Sequence, residues 1–552
     1  MHPTPYAPER NRPLSRPMAL GTRGVVSTGH PLASQVGLRV LEEGGNAVDA
    51  ALAAGAVLAV VLPEANTIGG DLFALVHDGA SGEVVAINAS GPAPQAATVE
   101  WFRAHGHETI PARGILSIEL PGLVAGWGLI HERFATRALA DLLAPAIRIA
   151  AEGFPVHPNL ARQSAQFGDL LAKDAAAAAL FFPEGRALRT GQPLVQREMA
   201  DSLRAIAADG PRAFYGGPIG QAIGEHCQRL GGLLAPSDFA APVEDFAAIR
   251  TPLQTDYRGY TVYETPPVSQ GFILLEELNI ASGFDLAELG HNSVNAIHLM
   301  VEAKKLAFAD RIAFLGDPAR VAVPLDELLS PEHAARQRAR IDHQRAARER
   351  VSPLDLRPKG GDTTYLCAVD AAGNAISLIQ SVYSPWASGI VVPGTGILLN
   401  NRLSGFWLEN GHPNQLAPGK HTMHTLNAFL LKQGRELFLV GGTPGADDQV
   451  QTNFQLLVSI IDHGLNVQEA IDATKWSSRP GTVEREQHQS YALAVEPRMD
   501  PSVVAALAAR GHHIVHAPDF TIGAHQAILR DPESGVLMGG AAPTRDGLAL
   551  GW

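Results

Sequence analysis

The pattern of apolar and polar positions predicts that the first part of the chain is rich in helices. Val25 to Thr28 has the apolar character of a short strand, and Pro31 then opens a helix of small residues that runs to Leu62, with a break at Glu42 to Asn46. The longest apolar run, Ala50 to Leu62, has 13 residues, whereas a membrane-spanning helix needs roughly 18 to 20. We therefore predict a buried helix there and no contact with a membrane.

A helical period of apolar positions recurs further along the chain. Four more helices are predicted on this basis, at Leu139 to Glu152, Glu198 to Ala208, Ile219 to Leu230 and Val294 to Phe314.

The pattern changes at residues 352–362. Ser352 to Asp362 is rich in proline and glycine and has neither a helical nor a strand period, which predicts an exposed linker. Directly after it, Thr363 to Val369 and Ala375 to Tyr383 are two β-rich runs joined by the turn signal Asp370 to Asn374, so we expect a β-hairpin. The final third is predicted to mix sheet and helix. Strands are expected at Gly396 to Leu399, Ala428 to Leu431 and Leu437 to Val440, and helices at Phe454 to Asp462 and Val467 to Lys475.

Composition and charge narrow the class of function. A chain of 552 residues with 46% hydrophobic and 18% charged residues buries a large core. Its net charge of −13 opposes binding to nucleic acid or to anionic membranes, so the expected partner is a small molecule. Cys227 and Cys367 show no metal-ligand spacing, and neither a metal nor a cofactor is expected. The tail 1–24 lacks a signal-peptide core, so a cytoplasmic location is expected.

A threonine that follows a flexible linker has a chemical use. If the Asp362–Thr363 bond is cut, Thr363 gains a free α-amine, which can act as general base for its own hydroxyl as a nucleophile. One residue would then supply nucleophile and base. Taken alone, the Asp-Thr-Thr sequence favours an ordinary threonine at a strand edge.

Motifs along the chain strengthen the first interpretation, because in this order they resemble the gamma-glutamyltranspeptidase family of N-terminal nucleophile hydrolases. In the first part they lie at Glu42–Asp49, Ile68–Asp71, Leu120–Trp127, Phe214–Gly217, Gly231–Phe239 and Leu306–Asp310. In the second part they lie at Gly361–Thr364, Asp370–Ala375, Gly394–Asn401 and Gly442–Gly445.

The resemblance implies an α+β fold, a four-layer αββα sandwich built from two fragments of one self-cleaved chain. The cleavage site would be Asp362–Thr363, so that residues 1–24 form a tail, 25–362 the large fragment and 363–552 the small fragment. The two fragments would form a heterodimer, which could itself dimerise. Ser381 matches a hydroxyl residue that supports the nucleophile. Gly445 and Ala446 match the backbone donors of the oxyanion hole, with Ala446 where the glutamyl enzymes usually have a second glycine.

The predicted substrate pocket departs from the family's glutamyl pattern. No arginine stands near Ser90 to hold an α-carboxylate, and Gly405 replaces the aspartate that holds the α-ammonium. His424 and Thr425 replace a serine pair, and Tyr383 replaces an asparagine near the nucleophile. This pattern is more similar to the amidohydrolase and acylase branch, which includes oxamate amidohydrolase and cephalosporin acylases.

Arg402 is the new charge beside the predicted site, and its guanidinium suits a carboxylate on a different acyl group. The alternative is a surface arginine in a loop. We therefore expect an enzyme that hydrolyses an amide of a small acyl substrate, which could be anionic, through an acyl-enzyme on Thr363. Two alternatives stay open: a γ-glutamyl hydrolase or transferase acting on glutathione-like donors, and an inactive descendant that binds a metabolite.

Overall fold

The structure, a computed structural model, describes residues 15–347, 363–480 and 491–552. Most of the predicted tail, the predicted linker 352–362 and Asp362 of the predicted cleavage site lie outside the described residues. The predicted nucleophile Thr363 lies within them.

The described strands are numbered in chain order. They are β1 Ala19–Gly21, β2 Gly24–Thr28, β3 Asp71–His77, β4 Val84–Ala89, β5 Phe154–Pro155, β6 Pro193–Leu194, β7 Ala248–Arg250, β8 Leu253–Tyr257, β9 Tyr260–Glu264, β10 Thr364–Asp370, β11 Ala375–Ser381, β12 Val391–Val392, β13 Ile397–Leu398, β14 Phe429–Gln433, β15 Glu436–Gly442, β16 Trp476–Arg479, β17 Ala492–Val495, β18 Ile514–His516, β19 Gln526–Arg530, β20 Leu537–Ala541 and β21 Leu548–Gly551.

The described α-helices are numbered in the same way. They are α1 Pro31–Glu42, α2 Ala47–Val61, α3 Val99–Ala104, α4 Leu123–Phe134, α5 Leu139–Glu152, α6 Pro158–Gln166, α7 Gly168–Leu171, α8 Ala175–Phe181, α9 Arg197–Asp209, α10 Pro218–Arg229, α11 Gly271–Ala281, α12 Leu286–Leu289, α13 Val294–Phe314, α14 Leu325–Leu328, α15 Pro331–Arg338, α16 Asp448–Ile461, α17 Val467–Asp472 and α18 Pro501–Ala509.

Two seven-stranded antiparallel sheets form the centre of the fold. One has the order β1-β20-β19-β15-β14-β9-β8, and the other has the order β21-β2-β10-β11-β3-β4-β7. Each sheet contains strands from before and from after Thr363. Five hydrogen-bonded pairs join a strand before Thr363 to a strand after it, namely β1 with β20, β9 with β14, β2 with β21, β2 with β10, and β3 with β11.

The alternation of side chains along β10 shows how the layers stack. Tyr365 and Cys367 pack between the two sheets in one core that also holds Val440 of β15. Leu366 and Ala368 point the other way, into a core shared with helices α2, α4 and α5. On the outer face of the other sheet, α11, α13 and α16 form a third core. Successive strand residues face opposite sides of a sheet, so two sheets covered in this way give four layers, and the predicted αββα fold is confirmed.

Helix α2 is buried along its whole length, as the apolar run predicts. Its break from α1 is fixed by a capping box, in which the Asn46 side chain accepts from the N–H of Asp49 and the Asp49 carboxylate accepts from the N–H of Asn46. Among the described residues, no helix is both long enough and apolar enough to cross a bilayer.

The predicted hairpin is present as β10 and β11. Their turn is held by Asp370, whose carboxylate accepts hydrogen bonds from the N–H groups of Ala372 and Asn374. Gly373 occupies the turn with a φ of 80°, a conformation that glycine adopts without steric cost. The same Asp370 carboxylate accepts from the N–H of Ala47, so the hairpin turn is tied to the start of α2.

Candidate active site

The hairpin brings Thr363 and Ser381 together. Thr364 pairs with Gln380 in the antiparallel register, so the residue before β10 meets the last residue of β11. The hydroxyl Oγ1 of Thr363 lies 3.0 Å from Oγ of Ser381, and both side chains are buried. This places the predicted nucleophile against its predicted supporting hydroxyl.

The hydroxyl of Ser381 is oriented by the main chain that follows it. The N–H of Tyr383 donates to Ser381 Oγ at 2.8 Å, and Tyr383 reaches this position with a φ of 86°. A hydroxyl has one proton to donate and two lone pairs to accept with. One lone pair of Ser381 Oγ is thus filled by Tyr383, and in the contact with Thr363 Oγ1 either hydroxyl can be the donor.

Thr363 lines a small cavity whose walls come from distant parts of the chain. Its carbonyl oxygen accepts a hydrogen bond from Arg545 Nη1 at 3.4 Å. The lining also includes Glu64, Asn159 and Pro444, the last of which begins the predicted oxyanion turn. The predicted nucleophile and the first residue of this turn therefore line the same small cavity.

The turn Pro444-Gly445-Ala446 connects β15 to α16 and has unusual backbone angles. Gly445 has a φ of 139° and Ala446 a φ of 51°. The value for Ala446 lies in the left-handed region, which residues with a Cβ rarely adopt. The carbonyl of Gly445 accepts from the N–H of Asp448 at 2.9 Å. Because carbonyl and N–H point in opposite directions across a trans peptide, the N–H of Ala446 points away from the start of α16. The turn can therefore offer that N–H as an oxyanion donor.

Arg402 is buried and not on the surface, so the surface-loop alternative is wrong. Its side chain is 1% exposed, and its Nε lies 3.4 Å from Oδ2 of Asp71, which is also 1% exposed. The guanidinium carbon lies 4.3 Å from the centre of the Tyr383 ring. Within the described residues, Nη1 and Nη2 of Arg402 have no hydrogen-bond partner. Nη1 and Nη2 are therefore available to bind a ligand. The Tyr383 ring that the guanidinium contacts belongs to the residue two positions after Ser381.

Asp71 was absent from the predicted site residues. It opens β3 directly opposite Ser381 in the register of β3 and β11. Burial raises the pKa of Asp71 to about 6, although the nearby Arg402 opposes the rise. Its only signal in the sequence is its place in the motif Ile68–Asp71, which identifies a family and assigns no role.

Glu119 is a second buried carboxyl that sequence reasoning missed. It is fully buried, and neither of its side-chain oxygens has a hydrogen-bond partner among the described residues. Burial raises the pKa of Glu119 well above its usual range, and the neighbouring Asp71 adds to the rise. The available signal is a single charge inside the apolar stretch Ile115 to Leu120.

His424 approaches the same carboxylate oxygen of Asp71 as Arg402 does, and Thr425 follows it along the chain. His424 Nε2 is 3.9 Å from Asp71 Oδ2, and the imidazole packs against Phe73 with 4.7 Å between ring centres. Burial lowers the pKa of His424 well below its usual value, and Arg402 lowers it further, so the ring is neutral. The carbonyl of Thr425 accepts a hydrogen bond from the Gln270 side chain.

The two positions that lack the glutamyl charges are also described. Ser90 is buried and lines a broad cleft together with Val268 and His421. Gly405 ends a short 3-10 turn that begins at Arg402, and a Cβ there would lie 3.2 Å from Thr422 Oγ1. The same turn therefore carries the new cation and leaves little room for a carboxylate.

Comparisons of the sequence and of the structure with known proteins find related enzymes along almost the whole chain. The sequence profile described as Gamma-glutamyltranspeptidase matches residues 33–552. The chain is 38% identical to a glutathione hydrolase-like YwrD proenzyme of Bacillus subtilis over 96% of this chain and 99% of that protein. It is 35% identical to an oxamate amidohydrolase proenzyme of Klebsiella pneumoniae over 97% and 99%. The crystal structure of a cephalosporin acylase from Bacillus halodurans superposes with a TM-score of 0.90 at 36% identity, covering 99% of both chains.

Proposed function

Because the chain belongs to the gamma-glutamyltranspeptidase family, we propose that it is a self-processing amidohydrolase or acylase with Thr363 as its nucleophile. The observation that carries the proposal is the 3.0 Å contact between the hydroxyls of Thr363 and Ser381 at the head of a central strand. Cleavage after Asp362 gives fragments of 362 and 190 residues. The relatives that are named proenzymes support this processing and the heterodimer that follows from it.

The proposed reaction uses the free α-amine of Thr363 as the base. The amine takes the proton of Oγ1, which attacks the amide carbonyl of the substrate. The N–H groups of Gly445 and Ala446 stabilise the resulting oxyanion, and such a donor is typically worth about 2.7–4 kcal/mol. The C–N bond then breaks, the leaving amine takes the proton, and the acyl group stays on Thr363 as an ester. Water adds to this ester and releases the acid.

We propose that Arg402 binds the far end of the acyl group through Nη1 and Nη2, and that this end is a carboxylate, as in oxamate. The unpaired donors support this assignment, since a buried guanidinium without acceptors is costly. Asp71 already offsets the charge of Arg402, so a substrate carboxylate is favoured when Asp71 takes up a proton. Because its pKa is about 6, that uptake costs about 1.4 kcal/mol at pH 7.

The other proposed substrate contacts surround the same two donors. Tyr383 covers one face of the guanidinium. His424 offers a neutral imidazole whose two nitrogens have no hydrogen-bond partner among the described residues. Thr425, the next residue, is the last of the proposed substrate contacts, and its carbonyl accepts a hydrogen bond from Gln270.

A γ-glutamyl donor is the second candidate, and one observation favours it. Asp71 and Glu119 place carboxyl groups near Arg402, so the pocket holds both charges that a glutamyl head group needs. Opposing it, an ammonium would have to compete with Arg402 for Asp71.

Self-cleavage is the first test. Purified protein should separate into two bands in the mass ratio of 362 to 190 residues on a denaturing gel, and Thr363→Ala should stay whole. Thr364→Ala is the matched control, because it removes the hydroxyl of the adjacent buried threonine and should still be cut. A wild-type chain that is active while uncut would contradict the proposed nucleophile. A chain that is cut but hydrolyses none of the amides tested would favour a metabolite-binding descendant.

Substrate class is the second test. The cut enzyme should hydrolyse oxamate and other acyl amides that lack an amino-acid head group faster than γ-glutamyl-p-nitroanilide. Both assays measure the released amine or ammonia at equal enzyme concentration. Efficient turnover of glutathione with a micromolar KM would replace the first candidate with the second.

A further inference from the structure

A single glutamine side chain joins the oxyanion turn to the substrate-binding stretch. Gln270 precedes α11 and is fully buried. Its Nε2 donates to the carbonyl of Ala446 at 3.2 Å and to the carbonyl of Thr425. Its Oε1 accepts from Nη1 of Arg311. The orientation of the amide is unambiguous, because carbonyls only accept and a guanidinium only donates.

Arg311 and the main chain fix Gln270 in turn. Arg311 is fully buried, and the same Nη1 also donates to Asp447 Oδ1 at 2.7 Å, one residue beyond Ala446. The N–H of Gln270 donates to the carbonyl of His424 at 3.0 Å. The side chain therefore starts from a fixed backbone and ends on a fixed cation, which leaves its amide little freedom.

The oxyanion turn needs such support. Ala446 has a φ of 51°, a left-handed backbone conformation that brings the Cβ of a non-glycine residue too close to the following carbonyl oxygen. Its carbonyl is held by Gln270 and by the N–H of Gln449 at 3.1 Å. Removing the Gln270 donor would leave that part-buried carbonyl with one partner and would let the residue relax toward ordinary angles. The N–H of Ala446 would then turn away from the oxyanion.

We propose that Gln270 is a positioning residue, which sets the Ala446 N–H of the oxyanion hole at a fixed place relative to Thr425 and thereby to the bound acyl group. This inference rests on the proposed function of Thr363. It assigns Gln270 no contact with the substrate, so its effect is expected on the rate of acylation and not on binding.

The test compares two reactions at Thr363 of the cut enzyme. Acylation by p-nitrophenyl acetate passes through an oxyanion. It is measured as the burst of p-nitrophenolate and as the increase in mass of the small fragment. Labelling of the Thr363 α-amine by phenyl isothiocyanate needs no oxyanion donor at the turn. Gln270→Glu keeps the shape and the acceptor for Arg311 but cannot donate, and Gln270→Leu removes both functions.

Gln455→Glu is the matched control, since Gln455 Nε2 also donates to two main-chain carbonyls in a buried place, those of Gln451 and Trp476. We expect Gln270→Glu and Gln270→Leu to slow the burst by about 10- to 100-fold, with the KM of the ester and the α-amine labelling within twofold of wild type. Gln455→Glu should leave all three unchanged. Thermal midpoints identify any variant that is merely unfolded.

Three results would overturn the inference: a Gln270→Glu burst within twofold of wild type, an equal loss in Gln455→Glu, or a parallel loss of burst and amine labelling. An uncut wild-type chain has no free Thr363 amine, so labelling would fail at the start. That outcome would refute the proposed function and this inference together, whereas the other three refute this inference alone.

Discussion

Arg402→Lys tests whether the buried guanidinium binds the acyl group. The substitution keeps the positive charge and loses the planar pair of donors Nη1 and Nη2. Because Arg402 is 1% exposed, no bulk water replaces a lost hydrogen bond to the substrate. A hydrogen bond to a charged group contributes roughly 1.5–3 kcal/mol, which corresponds to about a 10- to 150-fold loss of kcat/KM.

The assay measures kcat/KM for a carboxylate-bearing amide and for a neutral acyl amide, together with the extent of self-cleavage, in the same preparation. We expect the loss on the anionic substrate only. Arg258→Lys is the matched control, because Arg258 also pairs with an aspartate, Asp462 at 3.1 Å, and also lies over a tyrosine, with 5.2 Å to the ring of Tyr257. Arg258→Lys should leave kcat/KM for both substrates unchanged.

Two results would refute this reasoning. Unchanged turnover of the anionic amide would show that Nη1 and Nη2 of Arg402 do not contact the substrate. Loss of self-cleavage, which needs no bound substrate, would show that the Arg402–Asp71 pair has a structural role.

Two more predictions follow from the site. Ser381→Ala removes the hydrogen bond to Thr363 Oγ1 and should slow acylation by up to about tenfold, measured as the p-nitrophenyl acetate burst; an unchanged burst would show that Ser381 does not act on the nucleophile. The preference for an anionic over a neutral acyl amide should rise about ninefold as the pH falls from 8 to 7 and about five- to sixfold from 7 to 6, and level off below the Asp71 pKa of about 6, because protonated Asp71 leaves the charge of Arg402 to the substrate. Taking the ratio cancels the titration of the Thr363 amine, and Asp71→Asn should make that ratio independent of pH.

Local signals were enough to predict the elements around Thr363. The turn Asp370 to Asn374 predicts the hairpin because its carboxylate and glycine satisfy the turn within five residues. Helices α5 and α13 have the predicted bounds, and both bury apolar residues in a core. Helix α16 was predicted to begin at Phe454 but begins at Asp448. The apolar pattern missed its first turns because they are polar.

Those polar turns are buried through contacts that no local pattern contains. Gln451, for example, donates to the carbonyl of Ser478 at 3.4 Å, and Asn453 donates to Asn427 at 3.1 Å. The acyl pocket has the same origin. Asp71 meets Arg402 across 331 positions of sequence, and no local pattern around either residue predicts this contact. Residue types near the hairpin were enough to propose site residues, whereas the charge balance of the pocket depends on contacts between distant parts of the chain.

The sharing of both sheets by strands from before and after Thr363 has a consequence for the protein once the proposed cleavage has occurred. Five strand pairs join the portions before and after Thr363, so separating the portions would break central sheet hydrogen bonds and open all three large cores. Dilution, which disperses ordinary subunits, would not part them before the whole molecule unfolds. Each large fragment would keep the small fragment with which it was translated, and cells that make two such enzymes would not form hybrids between them.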